Sequence, residues 1–406
     1  MNTIRASLLA ALAGLGLAQP APGQPAPAPQ RERVRVSLVQ VPVTVVDGEG
    51  RPVPGLTASD FDVRDDGEPV RLGAVDPIEY AGRRSGEALT AAETSATRVT
   101  SAAGLRKFLL LFDLTFASQT ELRRTLEAAT RFVREQMGDW DIAAVATVSA
   151  GGGVKLLQQF TPDRARLSEV LDAEKNTDAW ERVQPAYDGA RIASTRNDGG
   201  IDSDVFTSVV QDHDRYRRQL ASRLLGRLED LAARLETIPG RKHVLLFSHG
   251  FDPQLLTGVV AMPSGPRDLR ESPFGDTEAH GDAGLRAELD RMAAGFRRHD
   301  AVVWAVDLGG VAAAVAETPE QRAGTFARGR ESLAAIAHGT GGELLTGSND
   351  FGPLLDRILE ATRAVYLLNF TPARTRGAGS FHPLKVKVLR RGARVSVRAG
   401  YYERAG

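Results

Sequence analysis

Residues 108–112 read Phe-Leu-Leu-Leu-Phe, an unbroken apolar run closed by Asp113. With no polar alternation, such a run suits a strand buried on both faces, and that strand needs a layer on each side of it. The residues that follow supply one. Leu122, Leu126, Ala129 and Val133 fall on a single stripe of a helix predicted over 121–137. Further apolar runs come at 142–148, 154–160, 243–247, 301–306 and 364–370, the second of them after the probable hairpin turn Gly151-Gly152-Gly153. Between them lie helical patterns at 285–296, 332–338 and 351–362. Tyr216, Leu220, Leu224, Leu228, Leu231 and Leu235 trace one face of a long helix that stops at Pro239-Gly240. This alternation predicts an α/β, Rossmann-like fold with a mainly parallel sheet and helices on both faces. Two stretches, 176–203 and 253–283, are polar or rich in Gly and Pro and show no clear period.

The two ends of the chain read differently. Residues 33–80 predict a small β module: Val and Thr crowd 34–46, and Asp47-Gly48 and Asp65-Asp66-Gly67 signal turns. Fewer than 50 residues make a thin core, so the module is expected to pack on the main domain or add to its sheet. Asp47, Asp60, Asp62, Asp65 and Asp66 are read as turn and cap residues, because no loop carries the alternating carboxylates and closing Glu of a calcium loop. At 376–406, Leu384, Val386 and Val388 alternate with lysines, and Val395 and Val397 alternate with polar residues. A turn at Arg391-Gly392 makes this a predicted β-hairpin, packed on the module or on the core sheet.

Residues 1–18 have the order of a secretory signal: Arg5, an apolar stretch from Leu8 to Leu17, and small Gly16 and Ala18 at the cleavage positions. A Pro/Ala-rich linker follows at 19–32, and a second linker is read at 81–104, leaving 105–375 as the α/β domain. A secreted or periplasmic protein is expected. With 51 basic and 51 acidic residues, no nucleic-acid partner is indicated. No later segment is long and apolar enough to span a membrane. The chain has no cysteine, so disulfides, thiolate metal sites and a lipidated Cys anchor are excluded.

In an open α/β sheet ligands bind beyond the carboxyl ends of the strands. Asp113, Thr115 and Ser118 place three oxygen-bearing side chains there. They are candidates to hold a hard cation such as Mg²⁺, or, in the case of Asp113 or Ser118, to cap the next helix.

The run resembles the first metal-site motif of von Willebrand factor type A domains, Asp-x-Ser-x-Ser. Asp113 and Thr115 match it, Ala117 stands where the second Ser belongs, and Ser118 falls one residue late. More widely, the chain resembles the VWFA-related Acidobacterial domain family. The resemblance is carried by Val41-Pro42-Val43-Thr44-Val45 with Asp47-Gly48, Gly55-Leu56-Thr57 with Asp60-Phe61, and Phe112-Asp113. It continues through Ser248-His249-Gly250-Phe251-Asp252, Thr340-Gly341-Gly342-Glu343, Tyr366-Leu367-Leu368-Asn369-Phe370-Thr371-Pro372 and Gly400-Tyr401-Tyr402.

It implies an exported protein on a von Willebrand factor A-like core, a type of domain that usually mediates adhesion or complex assembly. The second metal loop implied by that core should give a Thr, for which Thr177, Thr195 and Thr207 are all open; the third should give an Asp, where this chain has His249 with Asp252 nearby. The metal set expected is therefore Asp113, Thr115, Ser118 and Asp252, holding Mg²⁺ or nothing, in a degenerate adhesion site. No nucleophile elbow, phosphate loop or catalytic triad assembles. The expectation is a non-enzymatic module gripping an unknown protein partner; the alternative is a metal-dependent hydrolase using Asp113, His249 and Asp252.

Overall fold

The computed structural model describes residues 38–80, 105–117, 119–175, 203–257, 281–309, 327–348, 350–377, 379–398 and 400–403. The predicted signal (1–18), both linkers (19–32 and 81–104) and nearly all of the two irregular stretches lie outside these residues.

The described residues open with four strands: β1 (Val39–Val46), β2 (Phe61–Asp65), β3 (Glu68–Pro69) and β4 (Leu72–Glu79). On β1 the alternate residues Val41, Val43 and Val45 are buried, the period-2 signature of a strand with one core face. The Asp65-Asp66-Gly67 turn forms as expected. Asp66 and Gly67 take φ of 52° and 84°, and β2 pairs antiparallel with β3.

The α/β unit follows. Its six-stranded sheet is made of β5 (Arg106–Asp113), β6 (Asp141–Ser149), β7 (Gly153–Thr161), β8 (Lys242–Ser248), β9 (Ala301–Asp307) and β10 (Leu344–Leu345). The spatial order is β10-β9-β8-β5-β6-β7. All neighbours run parallel except β7, which returns along β6 as an antiparallel edge hairpin. Renumbered within the sheet this is 3-2-1-4-5-6, the doubly wound order.

The helices are α1 (Gln119–Arg131), α2 (Arg164–Lys175), α3 (Ser203–Arg234), α4 (Ala283–Arg298), α5 (Ala327–Thr340) and α6 (Gly352–Ala361). Neighbouring residues of β5 feed two different cores. Leu109 and Leu111 pack with α3, α4 and α5, while Phe108, Leu110 and Phe112 pack with α1, α2 and α6. That is why the run has no polar position. The stripe is buried at Leu224, Leu228 and Leu231 of α3 and at Leu235 just after it, but Tyr216 is exposed, so the buried face starts later than the sequence pattern.

Strand β11 (Ala364–Phe370) forms where predicted but not in the expected sheet. It lies between β1 and β4, antiparallel to both, with Val41 opposite Leu368. A short apolar run reports burial, not which sheet provides it. The predicted terminal hairpin is also corrected. β12 (Phe381–Val388) pairs with β2, whereas β13 (Arg394–Ser396) pairs with β1; the Arg391-Gly392 turn carries the chain from one sheet to another. With β14 (Gly400–Tyr402) they complete two four-stranded sheets, β13-β1-β11-β4 and β14-β12-β2-β3. One core of Val41, Val43, Phe61, Val63, Tyr366, Leu368, Leu384 and Val386 joins the two sheets. Segments 39–79 and 364–402 thus build a single β-sandwich, and the α/β unit is inserted between β4 and β11. The Arg241 guanidinium ties the two parts together, donating to the Ser396 carbonyl (2.9 Å) and to Thr44 Oγ1 (3.3 Å).

Candidate functional site

The winding of the sheet reverses between β5 and β8, and there the loops leave in opposite directions and open a crevice. Phe112 of β5 lies opposite Phe247 of β8, and their rings stack with centroids 5.0 Å apart. One residue further on, each strand ends in a polar group: Asp113 on β5 and Ser248 on β8, with Asp307 beside Ser248 on β9.

Asp113 is fully buried. Its Oδ2 accepts from the Ser248 hydroxyl (2.6 Å) and its Oδ1 from the Thr115 backbone N–H (2.7 Å). Ser248 Oγ in turn accepts from the Gly250 N–H at 2.8 Å. Burial pushes the Asp113 carboxyl above the ordinary carboxylate range, against the lowering effect of these hydrogen bonds. The Thr115 hydroxyl accepts from the Ala150 N–H at the end of β6 (2.9 Å) and also bonds to the Asp113 carboxylate. Ala117 is buried and brings no oxygen. Ser118, Thr177 and Thr195 lie outside the described residues. Thr207 falls in the first turns of α3.

The other polar groups at this end of the sheet are matched in pairs. His249 Nε2 lies 2.5 Å from Glu121 Oε2 in the first turn of α1. Asp252 Oδ2 accepts from Arg217 of α3 (2.6 Å), and its Oδ1 accepts from the Gln254 N–H that opens the single helical turn Gln254–Thr257. Asp307 Oδ2 accepts from Arg330 of α5 (2.6 Å), and its Oδ1 from the Gly309 N–H (2.9 Å). The loop after β8 is pressed against α5. Gly250 has φ of 71°, and a Cβ on Gly329 would collide with the His249 carbonyl oxygen. Ser332 Oγ closes the contact by accepting from the Phe251 N–H (2.9 Å).

A magnesium ion asks for near-octahedral oxygen ligation at roughly 2.0–2.1 Å. The residues at this end of the sheet do not fit that demand. Both Asp113 oxygens accept from protein donors, Asp252 is turned to a guanidinium, the Thr115 hydroxyl is held between Ala150 and Asp113, and position 117 is alanine. Nor do Asp113, His249 and Asp252 form a group of converging ligand atoms among the described residues.

Asp113 and the Ser248-His249 segment are brought together, as the strand reading implies. Glu121, Arg217, Asp307 and Arg330 went unnoticed in the sequence. For Asp307 a signal exists: 301–307 is an apolar run closed by an acid, the same form as 108–113. The two arginines and Glu121 sit on helices, with no local mark of what they face.

No protein-family model matches the sequence, and no curated protein matches it. Among solved structures the chain is similar to the conserved hypothetical protein BatB from Bacteroides thetaiotaomicron. Identity is 12%, over 63% of this chain and 98% of that one, with a TM-score of 0.31. It is similar to the SpRpn10 VWA domain at 9% identity, over 62% of this chain and 95% of that one, with a TM-score of 0.25. It is also similar to the three N-terminal domains of the type V pili tip protein Mfa5 from Porphyromonas gingivalis, at 10% identity, over 91% of this chain and 68% of that one, with a TM-score of 0.35. At these values no residue role passes from any of them to this chain. By its own strand order, its antiparallel edge and its two helical layers, the α/β unit has the von Willebrand factor A-like architecture expected from the sequence.

Proposed function

We propose that this protein is an exported, non-enzymatic interaction module. Its recognition surface is the rim at the carboxyl ends of the parallel strands, and it binds a protein partner there without Mg²⁺. One observation carries the reading: the acids at that rim are matched by groups of the protein itself, Asp113 by Ser248, Asp252 by Arg217, Asp307 by Arg330 and Glu121 by His249. An adhesion site that works through a bound cation needs acidic oxygens left over for the ion and for the partner. A rim neutralised from within presents a fixed shape and a fixed set of dipoles instead, which suits recognition by surface complementarity. Export is supported by the n-region, apolar stretch and small residues of 1–18.

The hydrolase alternative needs Asp113, His249 and Asp252 to act on one substrate atom. Each is engaged with a different neighbour, so it is not the favoured reading.

The test is capture of a partner from an outer-envelope extract by the full-length protein. Gln254 stands half-buried at the rim. Gln254→Arg is expected to weaken capture at least roughly tenfold with an unchanged melting temperature, because a rim charge with no counterpart opposes docking. Wild-type capture is expected to be the same with and without millimolar Mg²⁺. Capture that depends on Mg²⁺, or that Gln254→Arg leaves untouched, contradicts the reading.

A further inference from the structure

The most unusual polar cluster lies away from the rim, inside the sandwich sheet that pairs segments from either side of the α/β unit. Asp65 ends β2, Asp66 is the first residue of the turn after it, and His382 is the second residue of β12. Their side chains are 0%, 1% and 0% exposed. His382 Nδ1 lies 2.9 Å from Asp66 Oδ2 and 3.9 Å from Asp65 Oδ1. None of these three atoms has a hydrogen-bond partner, so a proton is not lined up between the ring nitrogen and either acid.

The second oxygen of Asp65 is satisfied, whereas Asp66 Oδ1, like Oδ2, has no hydrogen bond. Asp65 Oδ2 accepts from the Tyr401 hydroxyl and from the Ala373 N–H, both at 3.0 Å. Arg376 lies 3.0 Å from Asp66 Oδ1. On the far side of the imidazole, His382 Nε2 is 3.3 Å from Glu403 Oε2, an oxygen that already accepts from the Arg376 and Gly377 N–H groups. The Tyr401 ring stacks on the imidazole at 4.9 Å and fixes its plane.

This arrangement has a direction. Glu403 is an acceptor, so an N–H of His382 belongs on Nε2, and Nδ1 faces two buried carboxylates with a hydrogen bond to neither. Buried carboxylate oxygens with no donor are costly unless a cation stands among them. A histidine that gives its other N–H to a carboxylate while its free nitrogen faces acidic oxygens is the arrangement of a metal ligand with its supporting shell. Ligand atoms about 2.0–2.1 Å from a tetrahedral ion stand roughly 3.3 Å apart. The two separations from Nδ1 bracket that spacing, and all three ligand atoms lie within 4.8 Å of one another.

We propose that Asp65, Asp66 and His382 bind a divalent transition-metal ion of the Zn²⁺ class, with Glu403 orienting the imidazole from behind. One nitrogen and a few carboxylate oxygens suit Zn²⁺, Co²⁺ or Mn²⁺; Ca²⁺ would want roughly six to eight oxygens. The ion clips the turn after β2 to β12, joining segments from either side of the α/β unit, so binding is coupled to closure of the sandwich. This site is separate from the rim and does not rest on the reading given for it.

The test uses the full-length protein, stripped of metal by a chelator and dialysed. Metal content by mass spectrometry, thermal melts with added Zn²⁺, Mn²⁺ or Ca²⁺, and the absorption spectrum with Co²⁺ are compared across variants. Wild type is expected to take up Zn²⁺ stoichiometrically, to melt higher with it, and to give a low-symmetry Co²⁺ spectrum. Asp66→Asn keeps a residue type that tolerates the positive φ at this turn, so it is expected to fold and to lose Zn²⁺ binding. Glu403→Gln is expected to weaken binding roughly 10–100-fold. His249→Gln, at the rim, is expected to leave uptake unchanged. No uptake and no melting shift in wild type would overturn the proposal. So would equal uptake by Asp66→Asn, or loss of uptake on His249→Gln alone; that last result would also move a metal to the rim.

Discussion

Asp113 shows how a buried acid is kept in place without a compensating charge of its own. It has two short hydrogen bonds, one from the next loop and one from the neighbouring strand end. Ser248→Ala removes one of these and leaves a buried oxygen short of a donor, so a loss of about 1–3 kcal/mol is expected in denaturant melts. Because burial raises the Asp113 carboxyl in the folded state, the folded protein binds this proton more tightly than the unfolded chain. Its contribution is present below the ordinary carboxylate range and is lost as pH rises through the raised value. Asp113→Asn cannot ionise, so its stability relative to wild type is expected to improve as pH is raised from acid towards neutral. A constant difference across that window would contradict the assignment. Asp113 was legible because an apolar run ending in an acid is a local signal. The pairs beside it were less so, since Glu121, Arg217 and Arg330 come from three different helices to meet His249, Asp252 and Asp307.

At the scale of elements, periodicity located strands and helices because each alternates or repeats within a few residues. It cannot say which strand pairs with which: 364–370 is a strand outside the α/β sheet, and the strands around 384–388 and 394–396 do not pair with each other. The close approach of α5 to the loop after β8 had no sequence signal beyond two glycines, Gly250 and Gly329. Here a side chain has no room. Gly329→Ala forces the helix start away from the His249 carbonyl and is expected to cost about 1–3 kcal/mol or more, by the usual penalty of overpacking. A substitution there that melts like wild type would show that α5 is not seated on this loop. By contrast, Leu228→Ala on α3 empties space in the core under the sheet, where about 2–5 kcal/mol is the expected loss.

At the scale of the whole molecule, the amino ends of two central strands carry an unusual titration. Lys107 and Lys242 are buried there on adjacent strands, and burial lowers both to about 8. Between that value and the ordinary lysine range the unfolded chain holds more protons than the folded one, so stability rises with pH across that window. Burial lifts Tyr80 to about 12, which works the other way: from the ordinary tyrosine range upward the unfolded chain loses its proton first and stability falls. Melting temperatures measured from pH 8 to 12 are therefore expected to rise, pass a maximum near pH 10 and decline. Lys107→Met with Lys242→Met should flatten the rising limb. The insertion of the α/β unit into a sandwich built from segments 39–79 and 364–402 was beyond reach of any local pattern, because its evidence is pairing between residues such as Val41 and Leu368.

The acids of the rim are satisfied from within the protein. The most direct check is the thermal midpoint of the full-length protein and its Asp113→Asn variant, each with and without millimolar Mg²⁺. A folded state that binds the ion must be stabilised by RT ln(1 + [L]/Kd). The prediction is no Mg²⁺-dependent shift in either protein. A rise with Mg²⁺ in wild type that disappears in Asp113→Asn would contradict it.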